Sequence, residues 1–249
     1  MVTLPKRRGA ARPDPDSMTL VEHLGELRRR LIVCLASFAV AVVVAYLLYG
    51  HILQFFQHPY CQIQPHNCKL LVLSPLDGFA IRLDIAGYGG LVLGSPVILY
   101  QLWRFVTPGL RANEKRYAVP FALASVVLFL LGAYVAWLTF PHALGFLKGV
   151  AGSGIASFYT AQRYLTLILA LMAIFGITFE FPVVLVALEL AGVLSPARLA
   201  HFRRWAIIII VVIAGVVTPS SDPFSMLALA IPMLAFYELS IVIGRVLKR

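Results

Sequence analysis

Six apolar stretches separated by short polar segments organise this chain: Leu31–Gly50, Phe79–Trp103, Tyr117–Phe140, Tyr164–Leu194, Trp205–Val217 and Met226–Ile243. A membrane-crossing helix needs about 20 apolar residues, so the first four read as spans. Trp205–Val217 has only 13 residues. As a helix that is about 20 Å, short of a hydrocarbon core of about 30 Å. The pattern predicts an all-α integral membrane protein whose fifth and sixth helices are short. Composition agrees, since 60% of the 249 residues are hydrophobic and the mean hydropathy is +0.87. A soluble domain with one large core is excluded.

Charge decides whether the short fifth run crosses. With six spans and the N-terminus inside, 21 Lys and Arg distribute so that only Lys69, Arg82, Lys148 and Arg163 face outward. That asymmetry is what the positive-inside rule requires. Five spans would export the basic stretch Arg245–Arg249. An even count is expected, with both termini cytoplasmic and the last two runs forming a short pair or a shallow hairpin. The net charge of +10 then reflects topology and anionic headgroups, which makes membrane lipid a partner and nucleic acid not one. Residues 1–17, rich in proline, read as a disordered cytoplasmic tail and 18–249 as the membrane domain. The first run is too long, and lacks the small-residue cleavage site, for a removed signal peptide.

Glu180 lies near the middle of the fourth run, within Phe179-Glu180-Phe181-Pro182. A charge at the bilayer centre costs about 2.5–3.5 kcal/mol on insertion scales, which makes Glu180 a functional candidate. Pro182 has no N–H for the Thr178 carbonyl, so a kink is expected around Glu180. One reading is a protonated Glu hydrogen-bonded inside a bundle. The favoured one is a functional group in a polar, water-accessible concavity. A proton carrier in a small-molecule transporter is a further reading, but such folds usually repeat the broken helix in each half. The two halves of this chain do not resemble each other.

The segment Thr19–Leu31 opens with a capping-box pattern, Thr19 with Glu22, and carries Leu20, Leu24, Leu27 and Leu31 as one apolar stripe. Glu22, Glu26 and Arg29 take the polar side. The ordinary use of Glu26 is a pair with Arg30 at i,i+4, worth about 0.2–0.5 kcal/mol. In the turn Thr107–Arg116, Pro108-Gly109 breaks one helix, and Asn113 and Glu114 suit the start of the next. Capping accounts for both without any function. Yet Glu26 and Glu114 fall on one membrane face as acidic islands in basic segments. Two such carboxylates suit a ligand with paired guanidinium groups, because planar Arg binds carboxylate bidentately.

No nucleophile elbow, metalloprotease motif or phosphate-binding glycine loop occurs, so neither an enzyme nor a cofactor is expected. Gly87, Gly89, Gly90 and Gly94 read as close helix packing. Cys61 and Cys68 lie in the first external loop, where a disulfide suits an oxidising face. With His58 and His66 they also have the residue types of a zinc site. The spacing matches no zinc pattern, so stapling is the simpler use and no metal is expected. Past the fifth run, Asp222 can cap the sixth helix, and the Thr218 and Ser225 hydroxyls can bond a partner helix.

Several of these motifs occur in a recognisable order: His23-Leu24-Gly25-Glu26-Leu27-Arg28, Ser95-Pro96 through Trp103-Arg104-Phe105, Pro108 through Glu114-Lys115-Arg116, Phe179 through Pro182, and Thr218-Pro219 leading to Ala230-Ile231-Pro232. Together they resemble the TatC family, the multispanning subunit of the twin-arginine protein translocase. The resemblance implies a glove-shaped fold of six helices in the bacterial plasma (inner) membrane. It implies a receptor for twin-arginine signal peptides that exports folded proteins on the proton-motive force. Its implied partners are small single-span subunits of the TatA/TatB type and further copies of itself. It places Glu26 and Glu114, with Arg28 and Phe105 of the same face, at the signal peptide, and Glu180 with Pro182 at an intramembrane polar site. Partner-helix contact falls on the fifth helix and the following turn, at Thr218 and Ser225. That turn is one residue longer here than the family's shorter form, and Met226 stands where a polar residue is expected.

Overall fold

The computed structural model describes residues 20–63, 68–106, 118–152, 159–219 and 222–247. The proline-rich segment of residues 1–17 lies outside them. Within them the chain forms nine helices: α1 (Leu20–Leu47), α2 (Tyr49–Ile63), α3 (Asp77–Val106), α4 (Ala118–Ala151), α5 (Ala161–Thr178), α6 (Phe181–Leu190), α7 (Pro196–His201), α8 (Arg203–Val217) and α9 (Pro223–Leu247). Five segments are long and apolar enough to cross a membrane: Leu24–Leu47, Asp77–Val106, Val119–Val150, the α5–α6 pair Ala161–Leu190, and Pro223–Val246. The chain is a multi-pass membrane protein.

α1 lies antiparallel on α3, where small residues let the backbones meet. A Cβ on Gly90 would stand 2.9 Å from the Val42 backbone, whereas Gly94 makes ordinary contact with Ala41. Gly87 faces open space, so only part of the glycine series serves packing. α4 and α5 pack on each other and on α3, while α9 gathers α4, α6 and α8. Phe140, Phe175, Phe179, Ile168 and Leu171 are fully buried where these helices meet. By contrast α1 turns Leu31, Ile32, Leu35, Val43 and Leu47 outward, as a lipid-facing helix does.

The short fifth run is found as α8, with 15 residues, and α8 is not among the segments long enough to cross. Only Ala206, Ile210 and Ala214, one stripe at i,i+4 spacing, are buried on it. The expected short sixth helix is corrected: α9 has 25 residues. Its polar side chains are accommodated inside the helix. Ser240 donates back to the Tyr237 carbonyl at 2.8 Å, and Glu238 pairs with Arg203 of α8 at 2.7 Å. A membrane helix tolerates such residues when their hydrogen bonds close locally or on a neighbour.

α2 is a further correction, because Cys61, expected in the first external loop, lies in its last turn. Its end is tied down. Cys61 and Cys68 are joined as a disulfide, and Leu71 then pairs with Thr160 in an isolated parallel bridge. The Ala161 N–H donates to the Leu71 carbonyl at 2.7 Å. Tyr164 buries its ring against Tyr60 and Phe140 and donates its hydroxyl to the Phe56 carbonyl at 2.8 Å. Aromatic rings with one polar atom suit this end of the bundle, where apolar core gives way to headgroups.

Candidate functional site

The first site grows from local helix geometry. On α1, Glu26 and Arg30 are one turn apart and so share a face. Arg30 Nε donates to Glu26 Oε1 at 3.0 Å, and its Nη2 donates to the same oxygen. Arg30 Nη1 also reaches Gln101 Oε1 of α3 at 3.4 Å. The other carboxylate oxygen, Glu26 Oε2, is buried without a hydrogen-bond partner. Together with Arg29, Val33 and Arg104 these residues line a cavity of about 240 Å³ between the start of α1 and the end of α3. Arg28 is exposed on α1, and Phe105 is half-buried in the last turn of α3. Glu114 lies outside the described residues.

The second site forms at the break between α5 and α6. α5 stops at Thr178, and Glu180 stands as the N-cap residue of α6, with Pro182 in the first turn. The Glu180 N–H donates to the Ile177 carbonyl at 3.1 Å, and the Val184 N–H donates to the Glu180 carbonyl at 3.1 Å. The turn tightens at Glu180 and the helix resumes after it, which suits proline near a helix start. The Glu180 side chain is hydrogen-bonded to Ser125 of α4. Ser125, fully buried, accepts from Trp103 Nε1 at 2.6 Å. Glu180 Oε1 is buried without a partner. Three elements thus bring an indole, a hydroxyl and a carboxyl together, and Trp103 lies two residues from Phe105 on α3.

The third expected site is arranged differently. Thr218 and Ser225 are both buried within the chain. The Thr218 hydroxyl donates to the Ala214 carbonyl at 2.8 Å, and the Ser225 N–H is capped by Asp222 Oδ1 at 2.8 Å. The Ser225 hydroxyl is itself buried without a hydrogen-bond partner. What α8 presents outward is apolar, from Trp205 and Ile208 to Val212 and Val216.

Two intramembrane carboxylates escaped the sequence reading. Asp84 of α3 accepts from Gln162 Nε2 at 2.7 Å and from the Thr166 hydroxyl at 2.9 Å, both on α5. Glu189 of α6 is fully buried, and the space for its carboxylate is the missing side chain of Gly244 on α9. Only the pairing across helices reveals either role. The available signal was an acid inside an apolar run, the same one that marked Glu180. Among the described residues no group of three or more His, Cys, Asp or Glu is placed to hold a metal ion.

Comparison with known proteins bears on the whole chain. The family model described as Sec-independent protein translocase protein (TatC) matches residues 22–232. The TatC protein of Aquifex aeolicus is 37% identical over 93% of this chain and 97% of its own length. That of Frankia casuarinae is 42% identical over 91% of this chain, which spans 65% of the Frankia protein. A crystal structure of twin arginine translocase receptor TatC in DDM superposes with a TM-score of 0.77 at 38% identity, covering 90% of this chain and 99% of that one.

Proposed function

The chain belongs to the TatC family, and we propose that it is the signal-peptide receptor and core subunit of a translocase. That translocase exports folded proteins bearing twin-arginine signal peptides, driven by the proton-motive force. The family is a component of protein transport, not an enzyme. In this reading six spans form a glove-shaped bundle in the bacterial inner membrane, with the basic end and both termini cytoplasmic. Single-span subunits of the TatA/TatB type and further copies of the chain complete the machine.

One observation carries the reading: Glu26 already holds a guanidinium. Arg30 occupies one carboxylate oxygen through two nitrogens, while Oε2 is buried and unpaired. A carboxylate shaped for one guanidinium can accept another in exchange, and an unpaired buried oxygen favours a charged donor. Glu114, Arg28 and Phe105 complete the receptor face in this proposal. A single-span partner lies along the apolar outer face of α8 and meets the following turn, at Thr218 and Ser225. Glu180, Pro182 and the Ser125–Trp103 pair form the polar site deeper in the bundle.

The test is direct binding of a twin-arginine signal peptide to the purified protein. Glu26→Ala and Glu114→Ala are each expected to weaken binding on the order of tenfold, the loss of one charge-assisted contact. A Lys-Lys peptide is expected to bind less well than Arg-Arg, because ammonium cannot form the planar pair. Unchanged affinity in a folded Glu26/Glu114 double variant overturns the receptor role.

A further inference from the structure

The cavity at the start of α1 gathers more positive than negative charge. Among the described residues, three of the six that line it are arginines, Arg29, Arg30 and Arg104, and the only acid is Glu26, already engaged by Arg30. The side chains of that pair are 13% and 23% exposed, so solvent screens them only in part. Like charges gathered in a partly shielded hollow raise its potential. Such a hollow attracts an anion.

The position of the cavity narrows the anion's chemistry. Its floor is Val33, in the first turns of the apolar stretch of α1, and its roof is Arg104, in the last turn of the α3 span. It therefore sits at the end of two membrane helices, at headgroup level. Guanidinium groups bind phosphate through paired N–H···O bonds, and Gln101 adds a neutral amide beside them. Below Val33, α1 turns Leu35, Val40 and Val43 outward, a surface along which an acyl chain can run.

We infer that the cavity lined by Glu26, Arg29, Arg30, Gln101 and Arg104 is a binding site for a phosphate group, as in the headgroup of an anionic phospholipid. The inference goes beyond the receptor role and holds whether or not Glu26 receives a peptide. Were both correct, they would be linked. A phosphate between Arg29 and Arg104 competes for the Arg30 guanidinium, and Arg30 drawn toward it leaves Glu26 open to an incoming arginine.

The experiment needs no signal peptide. The full chain, purified in detergent, is mixed with phosphatidylglycerol or phosphatidylcholine, and bound lipid is counted by native mass spectrometry. A parallel arm adds inorganic phosphate and follows thermal unfolding. Preferential retention of phosphatidylglycerol is expected, weaker by roughly tenfold in the Arg29→Gln/Arg104→Gln variant. Arg29→Lys/Arg104→Lys keeps the charge without the planar fork and is expected to lie between. Arg245→Gln, which removes a charge at the far end of α9, is expected to bind like the wild type. Stabilisation by inorganic phosphate, lost in the same Gln variant, identifies free phosphate as a sufficient ligand. Stabilisation by phosphatidylglycerol alone identifies the lipid. Equal retention of the two lipids with no effect of phosphate overturns the inference, and so does an equal loss in Arg245→Gln.

Discussion

The Trp103 indole N–H donates to the Ser125 hydroxyl at 2.6 Å, across 22 residues of sequence, and that hydroxyl is in turn the partner of Glu180. One small side chain thereby joins α3, α4 and the α5–α6 break. Ser125→Ala removes the acceptor of the indole and the partner of the carboxyl together. A buried polar group stripped of its partner costs about 1–3 kcal/mol. Thermal unfolding in detergent is expected to show that loss, and Ser125→Thr to recover most of it. A wild-type melting curve for Ser125→Ala would mean that the line of hydrogen bonds contributes nothing to stability.

Glu180 itself separates polarity from acidity. Glu180→Gln keeps the shape and the hydrogen bond to Ser125 and is expected to fold normally. Export of a folded twin-arginine reporter is expected to fall in that variant and to recover in part in Glu180→Asp. Glu180→Leu is expected to lose co-purification of a single-span subunit as well. Full export by both the Gln and Leu variants would leave Glu180 a structural residue.

Gly90 sets how closely α1 approaches α3. The added methyl of Gly90→Ala meets the Val42 backbone at 2.9 Å, where no side-chain rotation gives relief. A loss of about 1–3 kcal/mol is expected from such overpacking. Gly87→Ala, facing open space on the same helix, is expected to be neutral or slightly stabilising. If the two variants melt together, the close approach is not limiting.

The proposed topology places Leu76 outside and Ala197 inside. Both are exposed. Single cysteines there, in a chain with Cys34, Cys61 and Cys68 replaced, are expected to react with an impermeant maleimide in opposite ways. Leu76→Cys should label in intact cells and Ala197→Cys only after the membrane is opened. Labelling of both in intact cells removes the six-span arrangement.

Local chemistry was legible in the sequence, whereas chemistry between distant segments was not. The Glu26–Arg30 pair follows from helical spacing, the break at Glu180 from Pro182, and the cap on α9 from Asp222, each within four residues. The end of α6 belongs to the same class: Gly192 takes φ 77°, a left-handed turn that closes a helix readily only with glycine. Apolar runs located the spans because lipid forbids unsatisfied backbone. Polarity was misleading at both ends of that scale. Cys61 was expected in a loop and α9 as a short helix, since polar side chains that bond within a bundle resemble those that face water. Ser125 had no signature of its own, and Asp84 and Glu189 showed only an acid inside an apolar run, because what each meets lies on another helix.

The ties at the α2 end form a closed circuit. From Phe56 along α2 to Cys61, across the disulfide to Cys68, on to Leu71, over the bridge to Thr160, and from Tyr164 back to Phe56, every link is covalent or hydrogen-bonded. A closed circuit behaves as a triangulated frame, in which no strut can swing unless another breaks. α2, the segment before α3 and the start of α5 therefore move as a single rigid joint. Glu26 and Trp103 stand at the opposite ends of α1 and α3, outside the circuit. Cutting the circuit at Cys61 would leave the end of α2 tied to the frame by Tyr164 alone.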